Sequence, residues 1–190
     1  QDDIADRVLE MVGGAANGSV VVGGLDLCCA TPDPLIVEHW AALDCLLVLR
    51  PDGLERVDPR HLRVEAVATP LDPLTPIHHL RELPRGERLG GADLVHQLRL
   101  AGATLVAGQQ LGISEATLEL ATDYAKKREQ FGRAIGSFQA LKHLMADMFA
   151  RQELARGGVY AAAATLDHPE VGDPQRAVSA GKLVAGDAAM

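Results

Sequence analysis

Aromatic residues are scarce in this 190-residue chain, which has one Trp, two Tyr and three Phe. A core without large rings must be built from Ala, Leu, Val and Gly, and small aliphatic side chains suit closely packed helices. Nearly half of the residues are apolar (47%), so a sizeable core is still expected, in one domain or two small ones. Positive charge is also short. Eighteen Lys and Arg stand against 26 Asp and Glu, a formal net charge of −8. That argues against a nucleic-acid partner, whose phosphates need basic patches, and against an anionic membrane surface. No apolar run is long enough to span a bilayer, and no secretory signal is expected. Cysteine is limited to Cys28, Cys29 and Cys45. Vicinal Cys28-Cys29 makes a poor disulfide and lacks zinc-ligand spacing, so all three read as buried thiols in a reducing cytoplasm. Gly-x-Gly-x-x-Gly, P-loop and Gly-x-Ser-x-Gly motifs are missing. His61, His78 and His79 have no companion carboxylate at metal-ligand spacing, so a solvated loop or edge strand is expected rather than a metal site.

The first half carries short apolar runs with turn chemistry between them. Ile4, Val8, Leu9 and Val12 have helical spacing over residues 3–12, with Gly13-Gly14 as the expected stop. Strands are expected over 19–24, 43–50, 54–57, 62–68 and 77–83, with Pro51-Asp52-Gly53 turning the second into the third as a hairpin. The second half is helical. Asp93 is a candidate cap for a helix running to about residue 127, whose small residues Ala101, Gly102, Ala103, Ala107, Gly108 and Gly112 suggest a face pressed against another backbone. Ser137 is a candidate cap for the next helix, where Phe138, Leu141, Leu144, Met145, Met148, Phe149 and Ala155 form one broad apolar stripe. His96 and His143 are expected to be partly buried, and Tyr124 and Tyr160 to pack in the bundle. Pro174 suits the first turn of a third helix. The chain begins at Gln1 and ends at Met190 inside a stretch that still reads as helix, so it is expected to be part of a longer protein. The resulting class is α+β, an antiparallel β-domain followed by a helical bundle.

The stretch with most chemistry is Asp123-Tyr124-Ala125-Lys126-Lys127-Arg128-Glu129-Gln130-Phe131-Gly132, followed by Ser137-Phe138-Gln139. Lys126, Lys127 and Arg128 fall in the last turn of the long helix, where cations complement the macrodipole. Gly132 can adopt the left-handed conformation that stops a helix. Taken alone this is an ordinary helix ending. Its side chains add a second meaning. Arg128 offers a rigid fork of donors for a pyrophosphate. Phe131 offers an apolar face for an adenine, and Gln130 and Gln139 offer amides for ring or ribose atoms.

Together with Ala146-Asp147-Met148 and Glu153-x-x-Arg156, this stretch resembles the signature of the acyl-CoA dehydrogenase family, well over residues 92–166 and more loosely over the preceding sheet. The resemblance implies a remnant of an N-terminal helical domain (1–18), a middle β-domain (19–91) and an incomplete acyl-CoA dehydrogenase-like C-terminal helical bundle (92–190). It implies FAD at a subunit interface, held through Arg128, Gln130, Phe131, Phe138 and Gln139. The implied reaction converts an acyl-CoA to the trans-2-enoyl-CoA, with electrons passed to an electron-transfer flavoprotein. Family members remove the α-proton with a carboxylate. A minority keep it early in the long helix, where the matching residue here is Gly102, so the catalytic base is unassigned. The family's CoA-binding Asp/Arg pair is not matched by Arg99, and Thr31-Pro32-Asp33-Pro34 is a distant echo of its flavin-binding Thr-Glu-Pro loop. Two expectations follow. The chain is an incomplete part of an active enzyme, or one subunit of a heteromeric dehydrogenase of the kind that degrades steroid side chains. The rival is a non-catalytic subunit that stabilises a catalytic partner, and a weaker one is a flavin-independent oligomerisation module.

Overall fold

Residues 14–29 and 33–190 are described in a computed structural model. The expected helix over 3–12 and residues 30–32 of the loop lie outside them. Residues 14–17 are helical, and they end at Gly18, at φ 78°. Its N–H donates to the Ala15 carbonyl at 3.3 Å and the Ser19 N–H to Gly14 at 2.9 Å, the paired bonds of a Schellman ending.

Two compact units divide at Gln97/Leu98. The first holds strands β1 (Val22–Asp26), β2 (Leu35–Glu38), β3 (Cys45–Arg50), β4 (Gly53–Val57), β5 (Val64–Ala66), β6 (Ile77–Leu80) and β7 (Glu87–Gly91). They form a four-stranded sheet in the order β1-β3-β4-β7 and a three-stranded sheet in the order β2-β6-β5. The second sheet is antiparallel. The first is antiparallel except that β1 and β3 run parallel, which corrects a purely antiparallel reading. Between β1 and β3 the chain visits the other sheet as β2, and it returns in its original direction. Alternate residues of both sheets, Leu46 and Val48 from β3 with Leu35 and Val37 from β2, meet Val57 and Leu80 in one core, as period-two strands require. Leu46 and Leu80 are fully buried.

The β3–β4 hairpin forms as expected, with Arg50 opposite Gly53 across Pro51-Asp52. Gly53 is required there, because a Cβ would stand 2.4 Å from the Gly90 carbonyl oxygen. Of the three cysteines only Cys45 is buried, and Cys29 is exposed. Burial pushes the Cys45 thiol up from its ordinary pKa.

The second unit consists of most of α1 (Ala92–Lys127), a short hairpin of β8 (Glu129–Gln130) and β9 (Arg133–Ala134), then α2 (Gln139–Asp167) and α3 (Pro174–Ala188). Asp93 lies within the first turn of α1 rather than before it; there it still favours the positive helix end. Pro174 opens α3 after Asp173, whose carboxylate accepts from the Arg176 N–H at 3.2 Å. Ala107 and Leu111 of α1, Ala155 and Val159 of α2 and Ala185 of α3 share a core. Glu115–Arg156 (2.7 Å) and Gln110–Lys182 (2.9 Å) tie the helices at its margin.

The apolar stripe of α2 is realised in part. Leu141, Met145 and Met148 are half-buried and Ala155 is buried, while Leu144 and Phe149 face outward. Tyr124, Tyr160, His96 and His143 are exposed as well, contrary to the packing expected of them, because each falls off the inward face of its helix. Helix α1 has a second apolar face. Leu98, Leu105, Ile113, Leu120 and Tyr124 are all exposed and recur at helical spacing opposite Ala107 and Leu111. Among the described residues no helix is long and apolar enough to cross a membrane.

Candidate functional site

The connection between α1 and α2 is where the predicted contacts lie. Helix α1 closes with the Arg128 N–H donating to the Tyr124 carbonyl at 2.8 Å. The chain then doubles back, with Glu129 opposite Ala134 and Gln130 opposite Arg133. The Ile135 N–H donates to the Arg128 carbonyl at 2.8 Å and closes the base of the hairpin. Phe131 and Gly132 form its two-residue turn, at φ 54° and 73°, as both central positions of a type I′ turn require. Gly132 therefore serves the hairpin rather than the helix stop expected of it. Ser137 is also diverted from its expected role. It ends a 3-10 turn, Ile135–Ser137, and its hydroxyl donates to the Ala134 carbonyl at 2.7 Å. Phe138 occupies the cap position of α2 without a side-chain bond.

Positive φ is natural for Gly132 but costs a β-carbon residue such as Phe131 about 1–2 kcal/mol. Burial does not offset this, since Phe131 is 90% exposed. Its ring meets Phe138 edge to face, with centroids 6.1 Å apart and planes at 87°. The Arg133 guanidinium carbon lies 4.1 Å from the centre of the Phe138 ring, a cation–π contact. Phe138 is half-buried, and Arg128, Gln130 and Gln139 are exposed. Lys126 pairs with Asp123 at 3.5 Å, whereas Arg128 and Arg133 form no ion pair among the described residues.

This corner has two unpaired guanidiniums, exposed amides and an accessible ring. That donor set fits the adenine and diphosphate end of a dinucleotide. The five residues expected from sequence all lie on it. Arg133 was not among them; its contact with Phe138 is seen only in the folded hairpin.

Other candidates have less to offer. His78 and His79 are adjacent in β6 and so point to opposite faces, and His61 lies 3.8 Å from Asp58. Among the described residues no cluster of three or more His, Cys, Asp or Glu is placed to hold a metal. A surface cleft of about 840 Å³ runs between residues 61–65 and 81–84, and its Arg81 faces Glu65 at 3.6 Å. Gly102 leaves open space where a β-carbon would stand, and it supplies no base.

The profile of the family described as "Acyl-CoA dehydrogenase, C-terminal domain" matches residues 90–190. The acyl-CoA dehydrogenase IpdE2 of Mycobacterium tuberculosis is 54% identical over 57 residues, 30% of this chain and 18% of that protein. The 3-sulfinopropanoyl-CoA desulfinase of Paraburkholderia xenovorans is 39% identical over 117 residues, 60% of this chain and 28% of that protein. Among solved structures, a variant of the Tcur3481-Tcur3483 steroid ACAD matches with a TM-score of 0.77 at 24% identity, covering 95% of this chain and 56% of that one. The ChsE4-ChsE5 complex from Mycobacterium tuberculosis matches at 0.74 and 23%, covering 93% and 55%. These two likenesses show a shared fold. The chain spans about half the length of the solved chains, and the alignments cover less than a third of either curated relative.

Proposed function

The chain belongs to the acyl-CoA dehydrogenase family, and from that membership we propose that it is a subunit of an FAD-dependent enzyme that dehydrogenates an acyl-CoA thioester to the trans-2-enoyl-CoA. The observation that carries the cofactor assignment is Phe131, a large ring held at positive φ and left 90% exposed. Strain of this kind persists where a site needs it, and an adenine packed against the ring would cover it. Arg128 would donate to the diphosphate and Gln130 and Gln139 to ribose or ring atoms, with Phe138 backing Phe131. When bound, FAD supplies the acceptor for the β-hydride. The α-proton must go to a carboxylate that Gly102 cannot provide, so we assign the base to another segment or to an unlike subunit.

The second apolar face of α1 supports assembly. A helix apolar on both sides is stable when covered on both, and the occupant we assign is another dehydrogenase-like subunit, a second copy or an unlike one. Two solved neighbours are named as pairs, Tcur3481-Tcur3483 and ChsE4-ChsE5, and a steroid or fatty acyl-CoA is the substrate class we assign. Electron-transfer flavoprotein is the assigned acceptor and the cytoplasm the assigned location. Gly102 also favours a second reading, a structural subunit whose partner does the chemistry.

Flavin retention in the native assembly tests the cofactor assignment. Phe131→Gly relieves the strained φ, so melting should not fall, yet FAD affinity should drop at least about tenfold. Unchanged flavin content would overturn the assigned corner. Reduction of bound flavin by acyl-CoA in this chain without a partner would eliminate the structural-subunit reading.

A further inference from the structure

We propose that Arg133 is a second diphosphate-binding cation of this corner, held ready by Phe138; the inference rests on reading segment 128–139 as the flavin-adenine site. The first support is register. Gln130 pairs with Arg133 across β8 and β9, and cross-strand partners project to the same side of a ribbon. Strand alternation adds Arg128 to that side, because the bond from Ile135 extends the ladder to it. Glu129, the lone carboxylate of residues 124–138, projects to the opposite side. The hairpin thus sorts charge, with two guanidiniums on one face and their nearest carboxylate on the other.

The second support is the use made of Arg133 itself. Its guanidinium carbon lies over the Phe138 ring, 4.1 Å from the centre, while its N–H groups meet no acceptor among the described residues. Arginine stacked in this way keeps its planar fork pre-oriented for an anion. Phe138 in turn contacts Phe131, so the ring assigned to adenine and the guanidinium are ordered by the same side chain. Two like charges on one face of a short ribbon repel each other unless an anion lies between them. A diphosphate has the charge to engage both.

The test uses the assembled protein, with FAD, ADP and adenosine as probes in binding titrations. Arg133→Ala should weaken FAD and ADP about ten- to a hundredfold, the size of one lost charge-assisted hydrogen bond, and change adenosine by less than about twofold. Arg133→Lys should recover part of the ADP affinity. Equal loss of ADP and adenosine would overturn the inference, because Arg133 would then act only by holding Phe138. Unchanged ADP binding in Arg133→Ala, with a clear loss in Arg128→Ala, would overturn it and leave the corner reading intact. Unchanged FAD binding in both variants would overturn the two together.

Discussion

Glu55 is a buried carboxylate, 5% exposed, and its neighbours explain how it stays ionised. Arg50 Nε donates to one oxygen at 3.0 Å and the Gly86 N–H to the same oxygen at 3.1 Å. Arg85 donates to the other oxygen and also reaches Asp52 at 3.0 Å. Burial raises the carboxyl pKa, but the bonds from Arg85, Gly86 and Arg50 outweigh it and hold the group below its ordinary range. The clamp fastens the β3–β4 hairpin to the segment that leads into β7. Glu55→Gln leaves the Arg50 guanidinium without its counter-charge and Arg85 with Asp52 alone, and should cost about 3 kcal/mol in urea unfolding at neutral pH. A lowered folded pKa stabilises above the unfolded glutamate value of about 4.3, and that stability is lost as pH falls through the folded value. The gap between wild type and variant should therefore be full at neutral pH and shrink on acidification below about pH 4.3. Parallel stability curves across that range would show that another group sets the acid limb.

The helices illustrate which packing a sequence reveals. The glycines of α1 suggested a backbone pressed against that helix, yet a β-carbon at Gly102, Gly108 or Gly112 would meet nothing within 4 Å. The close approach lies between α2 and α3. A β-carbon at Gly181 would stand 2.7 Å from the Gly158 carbonyl oxygen, and one at Gly158 would stand 2.7 Å from Val184. Glycine composition thus pointed to close helix contact but not to the pair that makes it. Gly181→Val should cost about 1–3 kcal/mol by overpacking, since a backbone carbonyl cannot move aside. Gly108→Ala should raise the stability of the isolated chain by about 0.5–1 kcal/mol, through helix propensity alone. Thermal melts of the two variants check both signs. The same limit applies to the strands. The β3–β4 hairpin was legible from Pro51-Asp52-Gly53, whereas β7 was hidden because Gly90-Gly91 reads as a break. The parallel β1–β3 pairing was illegible, since alternation marks faces but not strand direction. The five residues proposed for the flavin could be grouped from sequence because they lie close together in the chain, whereas the contact of Arg133 with Phe138 is visible only in the folded hairpin.

At the scale of the molecule, charge poses a sharper question. The chain carries a net −8, and a phosphate ligand approaching it meets overall repulsion. Residues 126–133 reverse that locally, with Lys126, Lys127, Arg128 and Arg133 against Glu129. The two fields predict opposite responses to salt. If the far field of the acidic surface governed encounter, added salt would screen repulsion and strengthen FAD binding. If the corner governs, salt weakens it, because the contacts that matter lie within about one Debye length, roughly 10 Å at 0.1 M. FAD affinity should therefore fall with rising ionic strength, and Arg128→Ala should flatten the slope by removing one of the attractive charges. A slope that is zero or positive in the wild-type assembly would mean that the cations of this corner do not meet the diphosphate, and that the ring of Phe131 is exposed for some other occupant.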